Sequence, residues 1–191
     1  MPKIKYGIKD CWFAKATIAA DGSATYGTVT KIPGARSFNM DADGETTEYY
    51  ADDQKYFVQQ ANNGYAGTMT FAMLPEAFLT EILGMVKDSK NNLFEDPDVQ
   101  TEHFAIGGIY STDSKKRKFV FYNVVASRPA DNHTTKEQTI TPDEDVLNLT
   151  ASPIFNSGLN RWMTKLSTTE TTSDADYESF DTEVYQPTAL G

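Results

Sequence analysis

Residues that commonly carry chemistry are sparse in this chain. Histidine occurs twice, at His103 and His133, and neither belongs to a ligand-spaced pair such as His-x-x-x-His. Both read as ordinary loop or strand residues rather than metal ligands or acid–base groups. The single cysteine, Cys11, is remote from both, so neither a thiolate metal cage nor an intrachain disulfide is available. Asp41-Ala42-Asp43-Gly44-Glu45 has the outline of a calcium loop. It lacks a third early ligand and the bidentate glutamate farther on, so solvated acids on a turn are expected. Gly107-Gly108 is followed by no GxGxxG pattern or Lys-Ser/Thr, which points to a strand kink or bulge rather than a phosphate loop. Ser157-Gly158 lies in a turn sequence with no nucleophile elbow. Nothing here argues for an enzyme, and no cofactor or metal is expected.

Charge is the stronger signal. The chain of 191 residues has 17 Lys+Arg against 27 Asp+Glu, a formal net charge of −10. That argues against a classical duplex-DNA reader, which needs a clustered basic footprint. The acids are localised. Six fall between Asp41 and Asp53 (Asp41, Asp43, Glu45, Glu48, Asp52, Asp53), and six more between Ser167 and Glu183, with no Lys or Arg in either run. Lys115-Lys116-Arg117-Lys118 is the one basic cluster. It suits phosphates or a partner's acidic surface, or is a solvated hairpin tip that blunts aggregation. The N-terminal MPKIKY lacks the apolar run of a secretory signal, and no stretch approaches the roughly 18 apolar residues of a membrane span. An acidic, soluble, intracellularly made protein is expected. The Asn132-His133-Thr134 and Asn148-Leu149-Thr150 sequons are then chance matches.

The elements behind these residues read as short strands separated by turns. Strands are expected over 11–19, 25–32, 35–40, 46–50, 55–60, 65–72, 101–110 and 118–128. A last pair is expected from 145–151 and 161–166, around Asn156-Ser157-Gly158. Within 65–72, Tyr65, Gly67, Met69 and Phe71 alternate with small residues, the pattern of a strand with one buried face. In 118–128, Phe119, Phe121 and Val125 alternate with Val120, Tyr122, Val124 and Ala126, so both faces are apolar. Such a strand is covered on both sides within the domain or awaits a partner. One helix of about three turns is expected from Pro75, with Phe78, Leu79, Ile82, Leu83 and Val86 as an apolar stripe and Gly84 as a candidate stop. Residues 87–98 read as a loop. The body is one unit over 1–166, followed by an acidic Ser/Thr-rich arm over 167–191, a composition that often orders only against a partner.

The order of these segments resembles a known family. The segments are KYGIKDCWFA, KIPGARSFNMD from Lys31, GETTEYYADDQKYF from Gly44, NNGYAGTMTFAMLPEAFLTEILG from Asn62, RKFVFYNVVAS, LNLTASPIF and FDTEVYQP from Phe180. Over nearly its whole length the chain is similar to the major tail tube proteins of long non-contractile-tailed phages. The resemblance implies a mainly β fold, a β-sandwich or partial barrel of antiparallel strands with one flanking α-helix, like the type VI secretion tube. It also implies a structural virion protein that forms hexameric rings stacked into a tube, the conduit for genome ejection. Its implied partners are itself, a tape measure protein, and tail tip and tail terminator proteins. Phage DNA passes without specific binding, which an acidic conduit suits because a basic lumen would hold phosphates. The implied location is the virion tail, assembled in host cytoplasm, with no membrane partner. On this reading Asp41, Asp43, Glu45 and Glu48 and the C-terminal arm make ring-to-ring or neighbour contacts, with Lys115, Lys116, Arg117 and Lys118 as candidate basic partners. Strands 65–72 and 118–128 lie in or beside the barrel.

A monomeric β-sandwich that binds carbohydrate or mediates adhesion is the alternative. Ten Tyr and two Trp supply candidate stacking platforms. Both Trp12 and Trp162 sit in alternating strands, however, where core positions are expected.

Overall fold

The computed structural model describes residues 4–112, 116–135 and 142–189. Its backbone is one curled antiparallel sheet of nine strands with three small two-stranded ribbons. The main strands are β1 (Lys5–Ile18), β4 (Ala35–Asp43), β7 (Gly64–Phe71), β10 (Phe104–Thr112), β11 (Arg117–Ala126) and β12 (Asp145–Ser152). Two short strands, β2 (Ala24–Tyr26) and β3 (Thr30–Ile32), share one edge of β1, and β15 (Lys165–Ser167) lies beside β11. The order is β2-β1-β10-β11-β12-β7-β4. The sheet curls without closing, so the fold is mainly β, as the segment order implies, with no closed barrel.

The core lies on both faces of this sheet. On the inner face Phe13, Met69, Phe71, Phe104, Phe121 and Leu147 form the main cluster. The short helix α1 (Glu76–Glu81) lies on this side, and Phe78 meets Phe13 and Phe104 edge-on at 5.1 and 5.4 Å. Burying such side chains contributes ~1.5–3 kcal/mol each. On the outer face Trp12, Val120, Tyr122 and Ile154 pack against Phe180.

Strand β11 is therefore covered on both faces by its own chain, which removes its double apolarity as an argument for a missing partner. Its alternation also departs from the sequence reading. Phe104 pairs with Val124 but Ile106 with Phe121, so β11 gains one residue at Tyr122-Asn123. This bulge returns Val124 and Ala126 to the side of Phe119 and Phe121, because one extra residue reverses the facing of all that follow.

Other boundaries differ too. The helix is six residues long rather than three turns. After Glu81 the backbone loosens at Ile82, then Gly84 with φ +75° ends the segment and the Met85 N–H reaches the Leu79 carbonyl at 2.9 Å. The 87–98 loop holds a small ribbon of β8 (Val86–Lys87) and β9 (Leu93–Phe94). Residues 25–32 split into β2 and β3. The turn at Asn156-Ser157-Gly158 joins β13 (Ile154–Asn156) to β14 (Arg161–Met163), whereas β12 pairs with β7 and β11.

Candidate assembly interface

The first surface grows out of the β4–β7 ladder. Beyond the Asp43–Gly64 pair the two chains stay together, the Asn63 N–H donating to Asp43 and the Ala61 N–H to Glu45 at 2.8 and 2.9 Å. They continue as β5 (Thr46–Ala51) and β6 (Gln54–Gln60), a two-stranded arm that leaves the sheet. Gly44 permits the crossing, since a Cβ there would lie 1.9 Å from the Ala61 carbonyl oxygen. The arm ends in a two-residue turn with Asp52 at φ 51° and Asp53 at φ 57°. Two left-handed residues make the turn whose twist matches a hairpin, and Asp tolerates that conformation.

Nothing in its own chain covers the arm among the described residues: every position from Gln54 to Gln60 is exposed. Tyr49 and Phe57 face each other across the ladder at 61% and 49% exposure, and Tyr56 reaches 79%. An uncovered aromatic pair on a projecting ribbon is a surface suited to a partner. Asp41, Asp43 and Glu45 are exposed along its base. Glu48 is bound within the arm by the Lys55 ammonium and by the Tyr50 hydroxyl, which donates at 2.8 Å. These two donors, Lys55 foremost, hold its carboxyl below the usual range.

The basic cluster turns elsewhere. Lys115 lies outside the described residues, and Lys116 is exposed. Arg117 meets Glu170 at 3.4 Å. Lys118 is buried, and its ammonium donates to Asp181 at 2.6 Å and to the Tyr177 carbonyl at 2.7 Å, beneath the Tyr177 ring. Among the described residues no ion pair joins this cluster to Asp41, Asp43, Glu45 or Glu48. Arg117 and Lys118 instead fasten the chain's own C-terminal segment.

That segment carries the residues the sequence reading passed over. Ser173 caps α2 (Asp174–Ser179), accepting from the Asp176 N–H at 3.2 Å. Phe180 is fully buried and stacks on Tyr185 at 5.1 Å. The Tyr122 hydroxyl donates to the Tyr185 carbonyl at 2.7 Å, and Gln186 reaches the Ala24 carbonyl at 3.2 Å. Desolvation raises the Tyr122 hydroxyl well above its ordinary range. The signal was present in Phe180, Val184 and Tyr185, three apolar residues within six positions of an otherwise polar run.

The remaining candidates have structural surroundings. Burial, reinforced by the Asp10 charge, pushes the Cys11 thiol up to about 12, which keeps it from acting as a nucleophile. His103 Nδ1 lies 2.6 Å from Asn123 Oδ1, and His133 pairs with exposed Asp131. No group of three His, Cys, Asp or Glu is placed to hold a metal among the described residues. No described helix is long and apolar enough to cross a membrane. Gly107 is not itself a kink. The irregularity lies opposite, in β1 between Lys9 and Trp12, and Gly107 makes room for the Trp12 ring, 2.3 Å from where its Cβ would stand. Trp12 is buried as expected, but Trp162 is 63% exposed. Its strand belongs to the β13–β14 ribbon, where its ring meets Phe155 edge-on and covers Gly22.

Comparison with known proteins supplies a family. A family model described as phage tail tube protein matches residues 2–188, while a search of curated proteins gives no match. With nearly the whole sequence matched, the chain belongs to the phage tail tube protein family, a structural component of the virion tail.

Proposed function

We propose that this protein assembles with copies of itself into hexameric rings that stack into the tail tube, through which the genome passes. The single observation that carries this reading is the β5–β6 arm, an ordered ribbon with an aromatic pair its own chain leaves uncovered. A side chain such as Phe57 gains by burial only when another molecule covers it, and family membership makes a second copy the natural one. Asp41, Asp43 and Glu45 at the base of the arm, with Lys115 and Lys116, are the proposed charged contacts between neighbours, while Arg117 stays with Glu170 of its own chain. Glu48 shapes the arm through Lys55. Lys118 acts by holding the C-terminal segment on the body. The tape measure protein in the lumen, tail tip and terminator proteins at the ends, and assembly in host cytoplasm complete the proposal. DNA passes without specific binding, and no catalytic step is involved.

Negative-stain electron microscopy across a concentration series, with light-scattering mass, tests this. Rings or hollow tubes of uniform width are expected. Strictly monomeric particles at every concentration, with tail-tip proteins added, overturn it. They would favour the second reading, a carbohydrate-binding or adhesion module, for which exposed Trp162 is the candidate platform.

A further inference from the structure

The sheet leaves a cleft between two unpaired edges. From Lys5 to Asp10, β1 pairs only with β10 among the described residues, since β2 and β3 join it from Cys11 onward. Strand β4 ends the sheet order and pairs only with β7. Between Lys5–Ile8 and Arg36–Asn39 lies a cavity of about 460 Å³. Its floor is aromatic: Phe38 lies 4.9 Å from Phe119 and 5.5 Å from Phe121. Its rim is cationic, with Lys5, Arg36 and Lys165. Arg36 is already paired with Glu144. Lys5 and Lys165 lie over the Tyr110 and Tyr65 rings at 5.5 and 4.2 Å, with no carboxylate within ion-pair distance among the described residues. Two lysines beside an open aromatic floor suit an acidic ligand that also carries apolar surface.

We propose that this cleft receives the tip of the β5–β6 arm from a second copy of this chain. The inference rests on the assembly reading above and names the receptor for its arm. The tip presents Asp52 and Asp53, both exposed, with Tyr49 and Phe57 behind them. Acid at the tip meets lysine, and the Tyr49–Phe57 pair behind it meets the mouth of the cleft, where Tyr6 is exposed. The donor is another molecule for a geometric reason. In its own chain the arm runs on beyond Asp43, at the other end of β4 from Arg36–Asn39, and none of its residues lines the cleft.

Charge exchange and cross-linking on the full-length protein test the pairing. Asp52→Lys with Asp53→Lys, and separately Lys5→Glu with Lys165→Glu, are each expected to raise the critical concentration for tubes about tenfold at low salt, and less at high salt. Combining all four in one chain should restore assembly to within about threefold of the wild type. All four residues are exposed, and an unchanged melting temperature confirms folding. In tubes grown from mixed Asp53→Cys and Lys165→Cys proteins, oxidation should give a disulfide between the two kinds of chain. Tubes that form normally with either reversal, or that give no 53–165 cross-link, overturn the pairing and leave self-assembly standing. A wild-type protein that builds no ordered assembly, with tail-tip proteins added, overturns both.

Discussion

Replacing Asp181 by asparagine isolates the role of the buried lysine. The Lys118 side chain is only 4% exposed, and its ammonium donates to the Asp181 carboxylate and the Tyr177 carbonyl. Removing one partner of a fully buried pair costs about 3–5 kcal/mol, because the other charge stays stranded. Exposed pairs contribute about 0–1 kcal/mol. Asp181 is 42% exposed, so water screens one side of this pair and an intermediate loss of ~2 kcal/mol is expected for Asp181→Asn. At an m-value of roughly 2–3 kcal/mol/M, the urea midpoint falls by about 0.7–1 M. Lys118→Met should cost less, within ~1 kcal/mol, since it removes the buried charge along with its partner's role and keeps the aliphatic stem. Equilibrium unfolding followed by tryptophan fluorescence measures both, and the double variant closes the cycle. A Lys118→Met loss equal to or larger than that of Asp181→Asn would show that the pair is net stabilising rather than a charge needing compensation. A neutral Asp181→Asn would show that water replaces the carboxylate. Either result refutes the reasoning.

Three further outcomes are expected. Tyr49→Ser with Phe57→Ser should leave the unfolding free energy of the monomer within ~0.5 kcal/mol of wild type, as both side chains are exposed, yet abolish tubes in electron micrographs; a large stability loss would contradict the uncovered arm. Gly67→Ala should destabilise by about 2–3 kcal/mol by thermal melting, because its Cβ would stand 1.9 Å from the Asn39 carbonyl oxygen and force β4 off β7. Stability should fall as pH rises above 9. Burial raises the Cys11 thiol from 9.0 to about 12 and lifts the Tyr26 and Tyr122 hydroxyls above 10.0, so the unfolded chain releases these protons before the folded one does. Urea midpoints at pH 8 and pH 10.5 measure this, and equal values would refute it.

Sequence pattern reached the fold where local chemistry decides it. Strand β7 was legible because Met69 and Phe71 alternate with threonines, and one sheet face is buried there. The left-handed stop at Gly84 was legible, because glycine takes that conformation without strain, but the end of α1 at Glu81 was not. The arm was visible as two β-rich runs around Asp52-Asp53, but its exposure was not, since nothing local says whether Tyr49 has a neighbour. Strand β11 failed at a bulge, which leaves no mark in an apolar run. The basic cluster failed for a tertiary reason. Lys118 looks like a solvated hairpin residue until Asp181, 63 positions away, is seen beside it.

The two hairpin systems differ greatly in how soon they can form. β5 and β6 are joined by two residues, so their ribbon closes on the order of 1–10 μs. The centre of the sheet waits for Lys15 to find Phe104 and for Lys5 to find Thr112, pairings separated by about half of the chain. Long-range β pairings of this kind close in milliseconds to seconds. An emerging chain therefore offers its arm well before the β1–β10 seam has closed, and before the cleft beside that seam has both walls. If the arm docks in the cleft as proposed, donor surface precedes acceptor surface during folding, and each new subunit carries a delay before it can receive a neighbour.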